Sequence, residues 1–136
     1  MRLIFCRAND PISWGVRLLT WSEWSHVGIV DGSNVIEAWF PYVRVSSLTK
    51  VIQSHSRVAF KDIYCKYPAA AISAAVSQVG KPYDVKAIIG WPLGRVWQDD
   101  NAWFCAELVA WAFMRGSTTL FPNVHRVTPQ DLWEIN

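Results

Sequence analysis

The segment that most restricts the fold is SHVGIVDGSNVIEAW, residues 25–39. Two apolar, β-branched runs flank Asp31-Gly32, and an Asp-Gly pair in this context is a strong signal for a β-hairpin with a two-residue turn. Such a turn would place His26 opposite Glu37. Cross-strand partners share one face of a sheet, with β-carbons about 5 Å apart. The hairpin therefore predicts a histidine–carboxylate pair within an otherwise apolar structure.

The register of this hairpin depends on the length of its loop. A four-residue loop would place Glu37 opposite Gly28 and diagonal to His26, still on one face, whereas a three-residue loop would put the two side chains on opposite faces. Gly28 keeps the shared face free of bulk. A carboxylate beside a histidine fixes its tautomer and stabilises its cation, as in the base half of a nucleophilic triad. The alternatives are a surface ion pair and a hydrogen-bonded core histidine.

The other elements favour a small α+β fold. Apolar and β-branched runs predict strands over 2–7 and 57–64, and a third run extends the sheet over 43–48. The strands follow one another in hairpin-like order, which favours a small antiparallel sheet. Helical spacing, with Pro near several starts, predicts helices over 11–20, 68–80, 85–90, 102–116 and 128–135, the first capped by Asp10 and the last by Thr128.

Composition and charge exclude several classes of protein. The chain has 136 residues, 51% of them hydrophobic, which predicts one domain over 1–136 with a real core. A net charge of +2 without a basic cluster argues against nucleic-acid binding, and the longest apolar run is too short to span a bilayer. Three separated cysteines and no visible signal peptide indicate a cytoplasmic location. The absence of a CxxC pair argues against a structural zinc site.

Cys105 is the candidate nucleophile, because it lies near the start of the long predicted helix, which Asp100 or Asn101 would cap. A helix N-terminus stabilises a thiolate anion, and its free N–H groups are able to form an oxyanion hole. A thiol, a base and an orienting carboxylate are the groups that cysteine acyl transfer needs. Cys6 and Cys65 lie in or at the end of strands and fit the buried, inert cysteines of ordinary cores.

Several other residues leave alternatives open. His55 and His125 are alternative bases without an obvious partner. Glu107, two residues after Cys105 in an apolar helix, either reaches the site or pairs with an arginine. Four tryptophans would suit either an acyl-chain substrate or a packed core: Trp91, Trp97, Trp103 and Trp111.

The motifs WSHVGIV, VIEAW, GKPYD and FCAELV, in this order, resemble those of the permuted papain-like cysteine hydrolases of the NlpC-related superfamily. The YiiX/YebB-like branch is the most similar, and lecithin retinol acyltransferase is a more distant relative. The histidine strand precedes the cysteine helix, which is the permuted order. The resemblance extends over most of the chain. It implies a small antiparallel sheet or partial barrel packed against the helix that carries the cysteine.

The resemblance also implies roles for individual residues. Cys105 would be the nucleophile, His26 the general base and acid, and Glu37 the residue that orients the histidine. Tyr83 of GKPYD is similar to the tyrosine that lines the site in NlpC-type enzymes, where it would face the substrate or the oxyanion.

The implied reaction is cleavage of an amide in a small molecule, peptide, peptidoglycan stem or fatty amide through an acyl-enzyme. An ester or thioester is also possible, and the reaction needs no metal or other cofactor. Three alternatives stay open: a non-catalytic binding module on the same fold, a thiol acyltransferase acting on lipid, and a zinc site formed by Cys105, His26 and a third ligand.

Overall fold

The computed structural model describes residues 1–86 and 101–136. Within these ranges one antiparallel sheet has the strand order β4-β3-β2-β1-β5. This sheet, together with the helices around it, confirms the predicted α+β class. The strands are β1 (Arg2–Arg7), β2 (His26–Asp31), β3 (Asn34–Trp39), β4 (Tyr42–Ser47) and β5 (Arg57–Asp62).

The helices of the described ranges are α1 (Pro11–Thr20), α2 (Leu48–Ser54), α3 (Pro68–Ser77), α4 (Cys105–Arg115) and α5 (Pro129–Glu134), with a 3₁₀ helix at Val124–Arg126. The predicted caps are confirmed: the side chain of Asp10 accepts a hydrogen bond from the Ser13 N–H group, and that of Thr128 accepts one from the Asp131 N–H group. None of these helices combines the length and the hydropathy needed to cross a membrane. The helix predicted over 85–90 lies mostly outside the described residues.

Helix α4 begins three residues later than predicted, at Cys105. The preceding residues are extended because Trp103 pairs with a distant segment. Its N–H group donates to the Pro82 carbonyl at 3.0 Å, and its carbonyl accepts from the Asp84 N–H group at 3.0 Å. This non-local pairing fixes the start of the helix and makes Phe104 the N-cap.

Helix α2 is absent from the sequence prediction, which continues the sheet through its first residue. The signal was present, because Leu48, Val51 and Ile52 have the i, i+3, i+4 spacing of an amphipathic helix and follow the N-cap residue Ser47. Helix α3 ends at Ser77, earlier than the predicted end at residue 80.

The sheet has apolar residues on both faces, because side chains alternate along each strand. One face packs against α4 through the larger core cluster, which includes Leu3, Phe5, Val27, Ile29, Ile36 and Ala38. The other face carries a smaller cluster with Val51 of α2. His26 belongs to the second face, since it pairs with Cys6 of that cluster.

Candidate active site

The hairpin that positions the site closes one residue later than predicted. Asp31 pairs with Asn34, so the two-residue turn is Gly32-Ser33 rather than Asp31-Gly32. Gly32 has a φ of 57°, a left-handed conformation that glycine adopts without a steric penalty. The turn places this glycine first, where hairpin turns favour it, and this preference explains the shift.

The register of the hairpin is therefore that of the alternative with Gly28 opposite Glu37, and His26 lies diagonal to the glutamate. Gly28 is required here because a β-carbon at this position would lie 2.5 Å from Val35 Cγ1 and 3.4 Å from Glu37 Cβ. Any larger residue would force these side chains apart. His26 and Glu37 stay on one face.

His26 and Glu37 form a buried pair. The distance from His26 Nε2 to Glu37 Oε2 is 2.6 Å, and the side chains are 5% and 1% exposed. The second carboxylate oxygen, Oε1, accepts hydrogen bonds from Arg44 Nε at 3.0 Å and from Ser46 Oγ at 2.7 Å. Strand β4 supplies both donors, with Arg44 directly opposite Glu37. The carboxylate is held at both oxygens and cannot rotate away from the imidazole.

The charges of this pair reinforce each other. Burial raises the pKa of Glu37, but the hydrogen bond and charge of His26, helped by Ser46 and Arg44, outweigh it and lower the pKa to about 2. Burial lowers the pKa of His26, but the interactions of the ring with Cys105 and Glu37 outweigh it and raise the pKa to about 9. At neutral pH the pair is thus a carboxylate and an imidazolium.

Cys105 is the first residue of α4 and is 1% exposed. Phe104, and neither Asp100 nor Asn101, occupies the N-cap position. The side chain of Cys105 lies close enough to the His26 ring to raise the pKa of that ring. Because Nε2 of that ring faces the carboxylate, Nδ1 is the nitrogen left for the sulfur.

Tyr83 lies in an extended segment that pairs with the residues just before α4. Its N–H group donates to the Pro41 carbonyl at 2.9 Å, and it forms a bridge with Trp103, two residues before Cys105. Burial, together with the neighbouring acidic groups Cys105, Glu107 and Asp84, raises the pKa of Tyr83 well above its ordinary value. The phenol therefore stays protonated and is able to donate a hydrogen bond.

A pocket of about 130 Å³ opens beside the pair. Its walls come from the residues before and at the start of α1, from the start of β2, from the end of β3 and from the Tyr83 segment. The lining residues are Asp10, Ser13, Ser25, His26, Ala38, Trp39, Phe40 and Tyr83. The pocket thus gives a ligand access to the imidazole and the phenol together.

Glu107 lies close enough to Tyr83 to raise the pKa of that phenol, and its side-chain hydrogen bond is to its own helix and not to an arginine. It is 4% exposed, and its Oε2 accepts a hydrogen bond from the Phe104 N–H group at 3.4 Å, so it caps its own helix. Burial and the neighbouring Asp84 raise its pKa to about 7, although the Phe104 hydrogen bond opposes this.

His55 has partners that the sequence did not reveal. It follows α2 directly, and its ring lies parallel to that of His26, with centroids 6.1 Å apart and an interplanar angle of 7°. Because helix α2 is absent from the sequence prediction, the neighbours of His55 were not predictable. His125 lies in the 3₁₀ helix, where its N–H group donates to Asn123 Oδ1.

The remaining candidates are packing residues where the structure describes them. Trp103 and Trp111 contact each other, with ring centroids 5.1 Å apart, while Trp91 and Trp97 lie outside the described residues. Cys6 and Cys65 are buried free cysteines. In residues 1–86 and 101–136 no group of three His, Cys, Asp or Glu side chains is placed to hold a metal ion.

Residues 2–134 match the model of a family described as permuted papain-like amidase enzymes, YaeF/YiiX, C92 family. The chain belongs to this family. Membership confirms the predicted cysteine-hydrolase class and its YiiX-like branch. No curated protein matches the chain at a significant level.

Among solved structures the chain is similar to a crystal structure of "metalloprotein yiiX" from Escherichia coli O157:H7. The TM-score is 0.65 at 20% sequence identity, and the match covers 85% of this chain. The chain spans 64% of the length of that structure. At this identity the likeness shows the fold, which is the permuted papain-like fold expected from the motifs.

Proposed function

We propose that this amidase cleaves its substrate through an acyl-enzyme on Cys105, with His26 as general base and acid and Glu37 as the orienting residue. The observation that supports this best is the buried hydrogen bond between His26 Nε2 and Glu37 Oε2, at 2.6 Å, with the Cys105 side chain close enough to the same ring to raise its pKa. A nucleophile, a base and a group that orients the base are the parts that covalent acyl transfer requires.

In the first half of the proposed reaction, the thiol of Cys105 has already given its proton to Nδ1 of His26, whose imidazolium Glu37 stabilises. The sulfur then attacks the carbonyl carbon of the amide as a thiolate. The carbonyl oxygen becomes an oxyanion, which the Cys105 N–H group at the start of α4 and the Tyr83 hydroxyl stabilise. His26 then gives its proton to the amine nitrogen as the carbon–nitrogen bond breaks. The products are a free amine and a thioester on Cys105.

In the second half, His26 accepts a proton from water, whose oxygen attacks the thioester carbon. The carbon–sulfur bond breaks, the carboxylic acid leaves, and the Cys105 thiolate is again beside the protonated His26. Glu37 keeps its charge throughout, because its pKa is about 2. If an amine or alcohol replaced water, the same intermediate would make the enzyme an acyltransferase.

The pocket supports a substrate with a compact group next to the amide. A volume of about 130 Å³ is similar to that of an engineered cavity of about 150 Å³ that binds benzene. Trp39 and Phe40 give it aromatic walls. We infer a peptide or fatty amide whose side chain or proximal acyl segment enters this pocket.

The test is the rate of iodoacetamide alkylation against pH, assigned to each cysteine by mass spectrometry. We expect Cys105 to react fast well below the ordinary thiol pKa of about 8.5, and the His26→Ala substitution to abolish this reaction. Cys6 and Cys65 are internal controls, and His125→Ala is the matched histidine control.

A second measurement ties the thiol to turnover. The Cys105→Ala variant should retain its circular dichroism spectrum and lose all hydrolysis of p-nitroanilide amides. If Cys105 reacts no faster than Cys6 and Cys65 in the folded protein, the non-catalytic binding module becomes the better explanation.

We further propose one domain over residues 1–136, acting in the cytoplasm on a substrate other than nucleic acid. The three cysteines are free and buried, as is common in reducing compartments. The net charge of +2 is low for a nucleic-acid binder.

A further inference from the structure

Three rings meet at the base of the site. The imidazoles of His26 and His55 are parallel, with centroids 6.1 Å apart. The indole of Trp39 stands nearly perpendicular to both, at 4.8 Å and 89° from His26 and at 5.4 Å and 87° from His55. Arg44, which also binds Glu37, lies over the indole at 5.3 Å. The ring of His26 is thus bounded by two other rings as well as by its hydrogen bond with Glu37.

His55 is fixed by its own hydrogen bond. Its Nδ1 lies 2.7 Å from the Val51 carbonyl oxygen. Because a carbonyl only accepts, Nδ1 carries the proton, and Nε2 of the neutral ring is then unprotonated. Among the described residues this buried Nε2 has no hydrogen-bond partner. A second proton on the ring would have no acceptor there, so the geometry favours a neutral His55.

The surroundings of His55 also favour its neutral form. Burial lowers its pKa, as does the charge of His26, while the Val51 carbonyl, Glu37 and Asp10 raise it by less. These groups come from α2, β2, β3 and the residue before α1. A neutral ring in this place does not compete with the imidazolium of His26 for the Glu37 carboxylate.

We propose that His55 is a positioning residue: a flat, uncharged wall that holds the His26 ring with Nε2 toward Glu37 and Nδ1 toward Cys105. The inference rests on the proposed function. Glu37 fixes one edge of the imidazole, but a single hydrogen bond leaves the ring free to tilt about that contact. His55 and Trp39 limit this tilt from two perpendicular directions.

Two substitutions test separately the flat ring of His55 and its hydrogen bond with the Val51 carbonyl. His55→Phe keeps a flat ring and removes the Nδ1–H donor. His55→Gln keeps a donor for the Val51 carbonyl and removes the flat ring. The probe is iodoacetamide alkylation of Cys105 across pH, accompanied by thermal melts, and His125→Gln is the matched control.

We expect His55→Gln to slow alkylation of Cys105 at pH 7 about tenfold, because small displacements of catalytic groups cost factors of ten to a hundred. His55→Phe should stay within about twofold of the wild type, and His125→Gln should be unchanged. The positioning role of His55 would be contradicted if folded His55→Gln were alkylated at Cys105 at the wild-type rate. A tenfold slower alkylation of Cys105 in folded His55→Phe would also contradict it. If His55→Gln does not fold, the His55→Phe result alone decides.

The wild-type and His26→Ala curves keep this test separate from the proposed function. If alkylation of Cys105 does not depend on His26, the catalytic proposal fails before His55 is considered. If it does depend on His26 and His55→Gln has no effect, only the positioning role fails. Nitrogen-15 NMR of the His26 ring adds a readout, because loss of its positioning in His55→Gln should shift the ring nitrogen signals, whereas a merely structural role of His55 would leave them unchanged.

Discussion

Two buried glutamates, one on the sheet and one on the helix that carries Cys105, differ in almost every interaction. Glu37, on β3, is 1% exposed and accepts hydrogen bonds from His26, Arg44 and Ser46. Glu107, on α4, is 4% exposed and accepts from a backbone N–H group at 3.4 Å. The pKa of Glu37 is lowered to about 2, and that of Glu107 is raised to about 7.

Similar burial therefore gives different protonation near neutral pH: Glu37 is ionised, whereas Glu107 titrates in this range. Burial disfavours both carboxylates, and the difference comes from their partners. Glu37 faces two cations and a hydroxyl, whereas Glu107 faces another acid, Asp84. On the sheet, Glu37 is thus ionised at neutral pH. On the helix, Glu107, two residues after Cys105, titrates near neutrality.

The most severe way to disturb this comparison is to remove the carboxylate from the sheet side. Glu37→Ala leaves His26 buried without its counter-ion, and breaking a buried pair costs about 3–5 kcal/mol in the free energy of unfolding. Glu37→Gln preserves the volume and should slow turnover roughly a hundredfold or more, since it no longer stabilises the imidazolium.

Urea denaturation measures the loss of stability, and amide hydrolysis measures the rate. Because Glu37 orients the base and does not react, some residual rate should remain. An unchanged rate in folded Glu37→Gln would exclude it from the proposed triad.

On the helix side, Glu107 predicts a pH dependence of the opposite sign. Its pKa is raised in the folded state, to about 7 from 4.5. The contribution of Glu107 to stability is therefore fully present below pH 4.5 and is lost as the pH rises through 7. Glu107→Gln removes this loss. At pH 8.5 the variant should be more stable than the wild type by as much as about 3 kcal/mol.

The measurement is the difference in unfolding free energy between Glu107→Gln and the wild type at pH 4.5 and at pH 8.5. Glu37 is the internal contrast, because its lowered pKa gives stability that is present above pH 4.5 and lost toward pH 2. A difference for Glu107→Gln that stays constant with pH would contradict the raised pKa.

The two sides of the site also differ in how far the sequence predicts them. The predicted position of the hairpin turn is wrong by one residue. His26 and Glu37 nevertheless stay on one face, because the pairing register changes by two residues and side chains alternate with period two. The pair was therefore predictable from local pattern alone. The same pattern places Gly28 on the face that His26 and Glu37 share, where it keeps the face free of bulk.

The helix side depends on contacts between distant segments, which a local pattern does not contain. The start of α4 follows from the pairing of Trp103 with residues 82–84, so the N-cap was misplaced. Glu107 acquires its pKa from Asp84, and His55 acquires its neighbour from an unpredicted helix. Only the place of Cys105 near a helix start was visible in the sequence.

Removing the charge of Arg44 is a milder change, which should move the pKa of Glu37 slightly toward that of Glu107. Arg44 donates to Glu37 at 3.0 Å and is 42% exposed, so solvent screens much of its charge. Arg44→Met should cost about 1 kcal/mol and raise the pKa of Glu37, moving the acid limb of the stability curve to higher pH. Arg2→Met is the control, because its partner Asp62 is exposed and its loss should change stability little.

Denaturation curves between pH 2 and pH 6 measure both effects. An acid limb that does not move after Arg44→Met would mean that His26 alone sets the charge of Glu37. The comparison between the glutamates would then reduce to the presence or absence of a single cation.

The smallest effect should come from Ser46, a neutral donor that shares the Oε1 atom of Glu37 with Arg44. In Ser46→Ala this oxygen keeps Arg44 and Oε2 keeps His26, so no buried charge is left unpaired. The loss should be about 1 kcal/mol, that of one hydrogen bond, and turnover should change less than threefold. Ser47→Ala is the control, since Ser47 makes no side-chain capping bond. A loss of turnover as large as that of Glu37→Gln would show that the orientation of the carboxylate, and not only its charge, limits the reaction.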